Sequence, residues 1–137
     1  MRWIREDPPR WDAEKARIVG AAPAGVFDFS AQRPGELVPG EWWRVEDEGQ
    51  VLGYGWMDCT WGDAEVLLAV DPAARHRGVG TFILDHLETE AAARGLNYLY
   101  NVVGATHPEQ GTVARWLMER RFEAAGDVLL KRRVRPR

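Results

Sequence analysis

The sequence is poor in sulfur and in lysine. One cysteine, Cys59, stands among 137 residues, and a lone thiol can neither close an internal disulfide nor supply a multi-cysteine zinc site. Lysine occurs only at Lys15 and Lys131, so the basic side chains are almost all arginine. The longest aliphatic run is Val66-Leu67-Leu68-Ala69-Val70, far short of the roughly 20 apolar residues of a membrane helix. Met1-Arg2-Trp3-Ile4-Arg5 has no apolar stretch of the signal-peptide kind, so a cytoplasmic location with no membrane partner is expected. The net charge of -3 gives no footprint for nucleic acid. Neither a repeat nor a low-complexity linker divides the chain. With 45% hydrophobic and 28% charged residues it reads as one folded domain, 1–137.

The charge is uneven. Lys131 to Arg137 holds basic residues and no acidic one, which leaves the rest of the chain acidic. Such a tail suits either an anionic surface or, more simply, a strand edge followed by a solvated terminus.

The pattern predicts an opening strand over Met1–Glu6 and a helix started by Asp7-Pro8-Pro9, with Trp11, Lys15, Ile18 and Val19 at helical spacing and Gly20 as a stop. In this helix the Lys15 stem is expected along the apolar edge. Val26-Phe27-Asp28-Phe29 suits a short second helix. Glu41–Glu46 and Val51–Asp58 read as a hairpin around Asp47-Glu48-Gly49-Gln50. After the turn Trp61-Gly62-Asp63, Ala64–Val70 is apolar enough for a strand buried on both faces. A helix over Gly78–Arg94 ends at Gly95, and its His86 is expected on the exposed side. Leu96–Val103 is rich in strand formers. Thr106-His107-Pro108-Glu109 fits a capping box that opens a last helix. Phe122–Ala125 and Val128–Val134 close the chain as a strand pair. The sum is an α+β fold with a mixed central sheet of about six to seven strands, in the order strand, helix or helices, three strands, helix, strand, helix, two strands.

Chemistry concentrates at Arg75-His76-Arg77-Gly78-Val79-Gly80-Thr81. A glycine-rich turn running into a helix start presents several backbone N–H groups to one point, and the helix dipole adds positive potential. Arg75 and Arg77 bring fixed charge suited to phosphate oxygens. The same residues also suit an ordinary turn with two solvated arginines. A Walker loop is excluded because no Lys follows the glycines. A dinucleotide fingerprint is disfavoured because Ile83 stands at its third glycine and the strand ended well before.

Arg75-x-x-Gly78-x-Gly80 after an apolar strand resembles the cofactor motif of the GNAT superfamily, the acyl-CoA-dependent N-acyltransferases, and the order of elements resembles theirs along most of the chain. The resemblance implies acetyl-CoA as co-substrate, no metal, and an N-acetyltransferase that moves the acetyl group to a small-molecule or peptidyl amine in a ternary complex. Arg75 and the amides of Arg77, Gly78, Val79, Gly80 and Thr81 would hold the pyrophosphate. The backbone of Ala69 and Val70 would pair with the pantetheine arm, and Gln110 would stand in for a cofactor-contacting Asn. The thioester would lie between residues 64–70 and 96–103. A homodimer is compatible with the resemblance.

An amine is mostly protonated at neutral pH, so the reaction needs a base. The resemblance points to Glu65, whose partial desolvation would raise its pKa; a solvated strand-end Glu is the plainer alternative. Direct transfer needs no nucleophilic thiol, so Cys59 reads as structural. At the position where many members carry a thiolate-protonating Tyr, this chain has Leu117. Tyr100 and His107, with Tyr98, are the alternative donors. If none serves, either the thiolate leaves unassisted or the domain binds acyl-CoA without turnover. The acceptor side is assigned to Trp56, Asp58 and Asn101, with Asp63 nearby.

Tryptophan is what the sequence has in excess, seven against three Tyr and four Phe. None lies in the cradle motif. Neighbours on a strand point to opposite faces, so Trp42 and Trp43 are not both expected in the core. One ring among Trp42, Trp43, Trp56 and Trp61 is expected at an acceptor pocket or a dimer seam.

Overall fold

The computed structural model describes residues 1–21, 32–102, 110–126 and 128–136. The elements are β1 (Arg2–Glu6), α1 (Ala13–Ile18), β2 (Glu41–Asp47), β3 (Gln50–Thr60), β4 (Asp63–Val70), α2 (Val79–Ala93), β5 (Tyr98–Val102), α3 (Gln110–Met118), β6 (Glu123–Ala124) and β7 (Leu129–Arg133). They build one mixed seven-stranded sheet in the order β1-β2-β3-β4-β5-β7-β6. The expected α+β class and order of elements are observed. The segments 26–29 and 106–109, read as a short helix and a capping box, lie outside the described residues.

The hairpins follow from their turns. Glu48 and Gly49 have φ of 50° and 78°, and Trp61 and Gly62 have 52° and 82°. Two successive left-handed residues are what a tight turn matched to strand twist requires. These turns make β2, β3 and β4 antiparallel neighbours, and among the described strands only the β4–α2–β5 crossover gives a parallel pair.

The sheet carries a core on each face. One face packs Trp43, Val45, Met57 and Val66 against Ile83, Leu84 and Leu87 of α2, with Leu99, Leu117, Phe122 and Leu130. The other packs Trp42, Tyr54, Trp56 and Ala69 against Trp11, Ile18 and Val38. Trp42 and Trp43 are therefore both core residues, at 0% and 1% exposure. Alternation does send them to opposite sides, as expected, but each side is covered. Trp43 also stacks on Trp3, with ring centroids 5.4 Å apart.

Several boundaries depart from the sequence expectation. The first helix starts at Ala13, because Asp12 rather than Asp7 caps it, accepting from the Lys15 amide at 2.8 Å. Residues 9–11 instead bond to the segment 36–38. Lys15 is not on an apolar edge. It is wholly buried, pairs with Glu6 and Asp12, and its Nζ sits 5.0 Å from the centre of the Tyr54 ring. On β4, Ala64 and Val66 are buried while Glu65 and Leu67 are only half-buried, so the two faces are unequally covered. β5 begins at Tyr98 because Leu96 still bonds back to Ala91, and Asn97 to Gly62. His86 lies against Trp3 and Phe82, with its Nδ1 2.8 Å from the Phe82 carbonyl, rather than free in solvent.

The basic tail is part of the fold. Arg132 is 2% exposed and reaches from β7 to Glu88 at 3.0 Å and Asp85 at 2.9 Å on α2. Arg121 and Arg135 also bond Glu88. Among the described residues no helix is long and apolar enough to cross a membrane.

Candidate active site

Two features meet along the path from β4 into α2. The first is the start of α2. Asp71 caps a single 3-10 turn at Pro72–Ala74, accepting from the Ala73 amide at 3.0 Å, and Arg17 bonds its other oxygen. The Arg17 guanidinium, then the Ala73 amide, hold the Asp71 carboxyl below its ordinary value. Arg75, His76 and Arg77 follow and are exposed. Gly78 caps α2 at φ 79°, a conformation that costs a glycine little. Phe82 makes the first bond of the helix, back to the Gly78 carbonyl at 3.0 Å. The amides of Val79, Gly80 and Thr81 thus have no partner within the helix and converge at its positive end. Among the described residues, Arg77 is held by a 4.0 Å contact to Asp47 at the surface.

α3 covers one side of this turn. A Cβ built on Gly80 would stand 2.7 Å from Cζ2 of Trp116. Arg120 lies over the Trp116 ring at 3.9 Å and donates from Nε to the Thr81 hydroxyl at 2.9 Å. A tryptophan from outside the motif therefore borders the start of α2. Leu117, where a proton-donating Tyr was looked for, is 4% exposed and packed in the α2-side core. Gln110 is the first residue of α3, and His107 lies outside the described residues.

The second feature is a fork. β4 and β5 pair in parallel at Asp63↔Tyr98, Ala64↔Leu99 and Glu65↔Tyr100, and the pairing stops there. β4 continues paired to β3 as far as Val70, and β5 continues paired to β7 through Asn101 and Val102. The edge of β4 that carries Ala69 and Val70 is thus left without β5. In the fork the Asn101 side chain donates from Nδ2 to the Val66 carbonyl at 2.8 Å.

At the base of the fork Glu65 lies between Asp58 of β3 and Tyr100 of β5. Desolvation, and then the facing Asp58, raise the Glu65 pKa. Desolvation, and then Glu65, raise that of Tyr100, while a hydrogen bond with Thr60 opposes them. Tyr100 therefore stays protonated at neutral pH and keeps a proton to give. The structure brings Glu65, Asp58 and Tyr100 together and sets Asn101 just beyond them. Trp56 shares their face but is 8% exposed, and its indole N–H is taken by the Pro39 carbonyl at 3.0 Å. Trp61 is 98% exposed. The Cys59 thiol is pushed up by desolvation and by Glu41, which suits a thiol that is not a nucleophile. Among the described residues no group of His, Cys, Asp or Glu is placed to hold a metal ion.

Sequence reasoning missed Trp116, Arg120 and Thr60. Arg120 and Thr81 are far apart in the chain, and no local pattern joins them. The glycine at position 80, a residue costly inside a helix, was the one available sign of a close neighbour.

Residues 39–121 match the family model described as the acetyltransferase (GNAT) domain. Over 83 residues the chain is 36% identical to an amino-acid acetyltransferase of Pseudomonas fluorescens, covering 58% of this chain and 17% of that protein, so it spans about a sixth of the length of this curated relative. Among solved structures, an N-acetyltransferase from Staphylococcus aureus Mu50 aligns with a TM-score of 0.58 at 21% identity, over 70% of this chain and 68% of the other. N-acetylglutamate synthase from Neisseria gonorrhoeae, complexed with coenzyme A and L-arginine, aligns with a TM-score of 0.59 at 23% identity, over 68% of this chain and 24% of the other.

Proposed function

The chain belongs to the GNAT acetyltransferase family, and from that premise we propose that it is an N-acetyltransferase that moves an acetyl group from acetyl-CoA to a primary amine in a ternary complex. The observation that carries the reading is the fork: β4–β5 pairing ends at Glu65/Tyr100, on the strand that leads into the start of α2.

The residues present suit coenzyme A. The amides of Val79, Gly80 and Thr81, which have no partner within the helix, and the exposed Arg75 and Arg77 match a pyrophosphate. The edge of β4 at Ala69 and Val70, left without β5, matches the amides of a pantetheine arm bound like an added strand. Acetyl-CoA supplies an activated thioester. On the protein side, Glu65 takes the proton of the acceptor ammonium, directly or through water, and its raised pKa brings it closer to that task. The freed amine attacks the thioester carbonyl, so that a C–N bond forms and the C–S bond breaks. Tyr100 is the described group that gives the leaving thiolate a proton, and the second N–H proton, shed as the amide forms, restores the phenol. Asp58 attracts a cationic acceptor, and Trp56 supports this side from within the core.

One observation favours a second reading. Leu117 is buried and cannot give a proton, which suits a module that binds acyl-CoA without transfer.

The test is calorimetric binding of CoA and acetyl-CoA, followed by thiol release with a broad panel of amines. Binding with turnover supports the enzyme. Binding without turnover on any amine supports the second reading. Absence of CoA binding overturns both.

A further inference from the structure

The fork is closed by a side chain rather than by backbone. After the last parallel pair, Glu65↔Tyr100, the next carbonyl of β4 is that of Val66, and it accepts from the Asn101 carboxamide at 2.8 Å. Both ends of this crosspiece are anchored. Val66 is paired to Met57 of β3, and Asn101 to Leu130 of β7. Beyond it, residues 67–70 of β4 have no β5 partner. Among the described residues, the carboxamide is therefore the first link between β4 and β5 met on the way in from the Ala69–Val70 end.

We propose that Asn101 is a specificity-determining residue that forms the floor of the acyl slot and restricts the transferred group to the size of acetyl. The inference rests on the reading that acyl-CoA lies in the fork. A two-carbon acyl group ends above the crosspiece. Each further methylene has to push the carboxamide aside, which breaks its bond to Val66 and strands a carbonyl in a half-buried site. A hydrophobic side chain at 101 would bound the slot as well but would leave that carbonyl unpaired from the start. Asparagine is short enough to stay in its own strand and long enough to reach the next one.

The experiment uses the full chain and its Asn101→Ala and Asn101→Ser variants. Dissociation constants are measured for CoA, acetyl-CoA, butyryl-CoA and hexanoyl-CoA, with melting temperatures alongside. The wild type is expected to bind acetyl-CoA about tenfold or more tightly than butyryl-CoA, the range that added methylenes commonly impose on a bounded pocket. Asn101→Ala is expected to narrow that ratio about tenfold while CoA affinity stays within about twofold. Asn101→Ser, which keeps a short hydroxyl donor, should fall between and serves if the alanine variant does not fold. An unchanged acyl-length ratio in a folded variant overturns the inference, as does a wild type indifferent to chain length. If the wild type binds no CoA at all, the cofactor reading fails first and the inference fails with it.

Discussion

The indole of Trp116 lies directly against Gly80: a Cβ on that glycine would come within 2.7 Å of ring carbon Cζ2. The smallness of residue 80 is thus demanded by α3 as well as by any anion at the start of α2. Gly80→Ala is expected to destabilise the fold by about 1–3 kcal/mol, since overpacking outweighs the gain in helix propensity. Trp116→Leu should relieve most of that cost in the double variant. Denaturant melts of the four proteins measure the coupling, and simple additivity would exclude the contact as the cause. Gly80→Asp adds a charge that opposes a pyrophosphate and should weaken CoA at least about tenfold beyond Gly80→Ala, or about 1.4 kcal/mol.

Glu65→Gln should leave the dissociation constant for CoA within about twofold and lower kcat by about 10²–10⁴, the usual worth of a positioned base. A base at Glu65 acts only when ionised, so the rate is expected to rise with pH through the raised Glu65 pKa. Asp58→Asn removes the second cause of that rise, so the acid limb of the rate profile should move to lower pH. An acid limb unmoved in Asp58→Asn would separate Glu65 from the reaction.

Tyr100→Phe and Leu117→Ala distinguish a proton donor from a packing residue. Tyr100→Phe is expected to lower kcat with a small change in stability. Leu117→Ala opens a cavity in the α2-side core and should cost about 2–5 kcal/mol of stability, with little effect on kcat in the folded fraction. The pair of rates and melting temperatures decides between the two roles.

Glu88 holds the C-terminal strand to α2. Burial alone would raise its pKa, but the bonds from Arg135 and Arg121, and the nearby Arg132, lower it. A carboxyl with a depressed folded pKa contributes stability that is complete above the ordinary Glu value and is lost as pH falls through the folded pKa. Glu88→Ala leaves Arg132 buried without its main partner and should cost about 3–5 kcal/mol. Its melting temperature should also fall less steeply on acidification than that of the wild type. Parallel slopes would mean that another carboxyl carries the acid sensitivity.

Much of the fold was legible because its signals are local. Asp47-Glu48-Gly49-Gln50 and Trp61-Gly62-Asp63 mark two tight turns, and the strands between them follow. Gly78 and Gly95 bracket a helix whose Ile83, Leu84, Leu87 and Ala91 are buried as their spacing predicts. The first helix was misread because Asp7-Pro8-Pro9 and Asp12 are both sound helix starts. The choice was made by the pairing of residues 9–11 with 36–38, which no local pattern contains. The tryptophans were misjudged because alternation gives the side a residue faces and not whether that side is covered. The tail read as a strand edge followed by a solvated terminus; the strand is there as β7, and what its pattern could not give is that Arg132 within it is buried against Glu88 of α2.

The sequence by itself determined the turns, the amphipathic helices, the glycine-rich start of α2 and the carboxylate at 65, since each depends on a few neighbouring residues and their backbone preferences. Only the tertiary structure decided how far β4 and β5 stay paired, that Asn101 closes their fork on Val66, that Asp58 faces Glu65, and that Trp116 and Arg120 crowd Gly80 and Thr81. These are contacts between segments distant in the chain, fixed by strand register and helix packing, and the acyl and acceptor specificity proposed above resides in them.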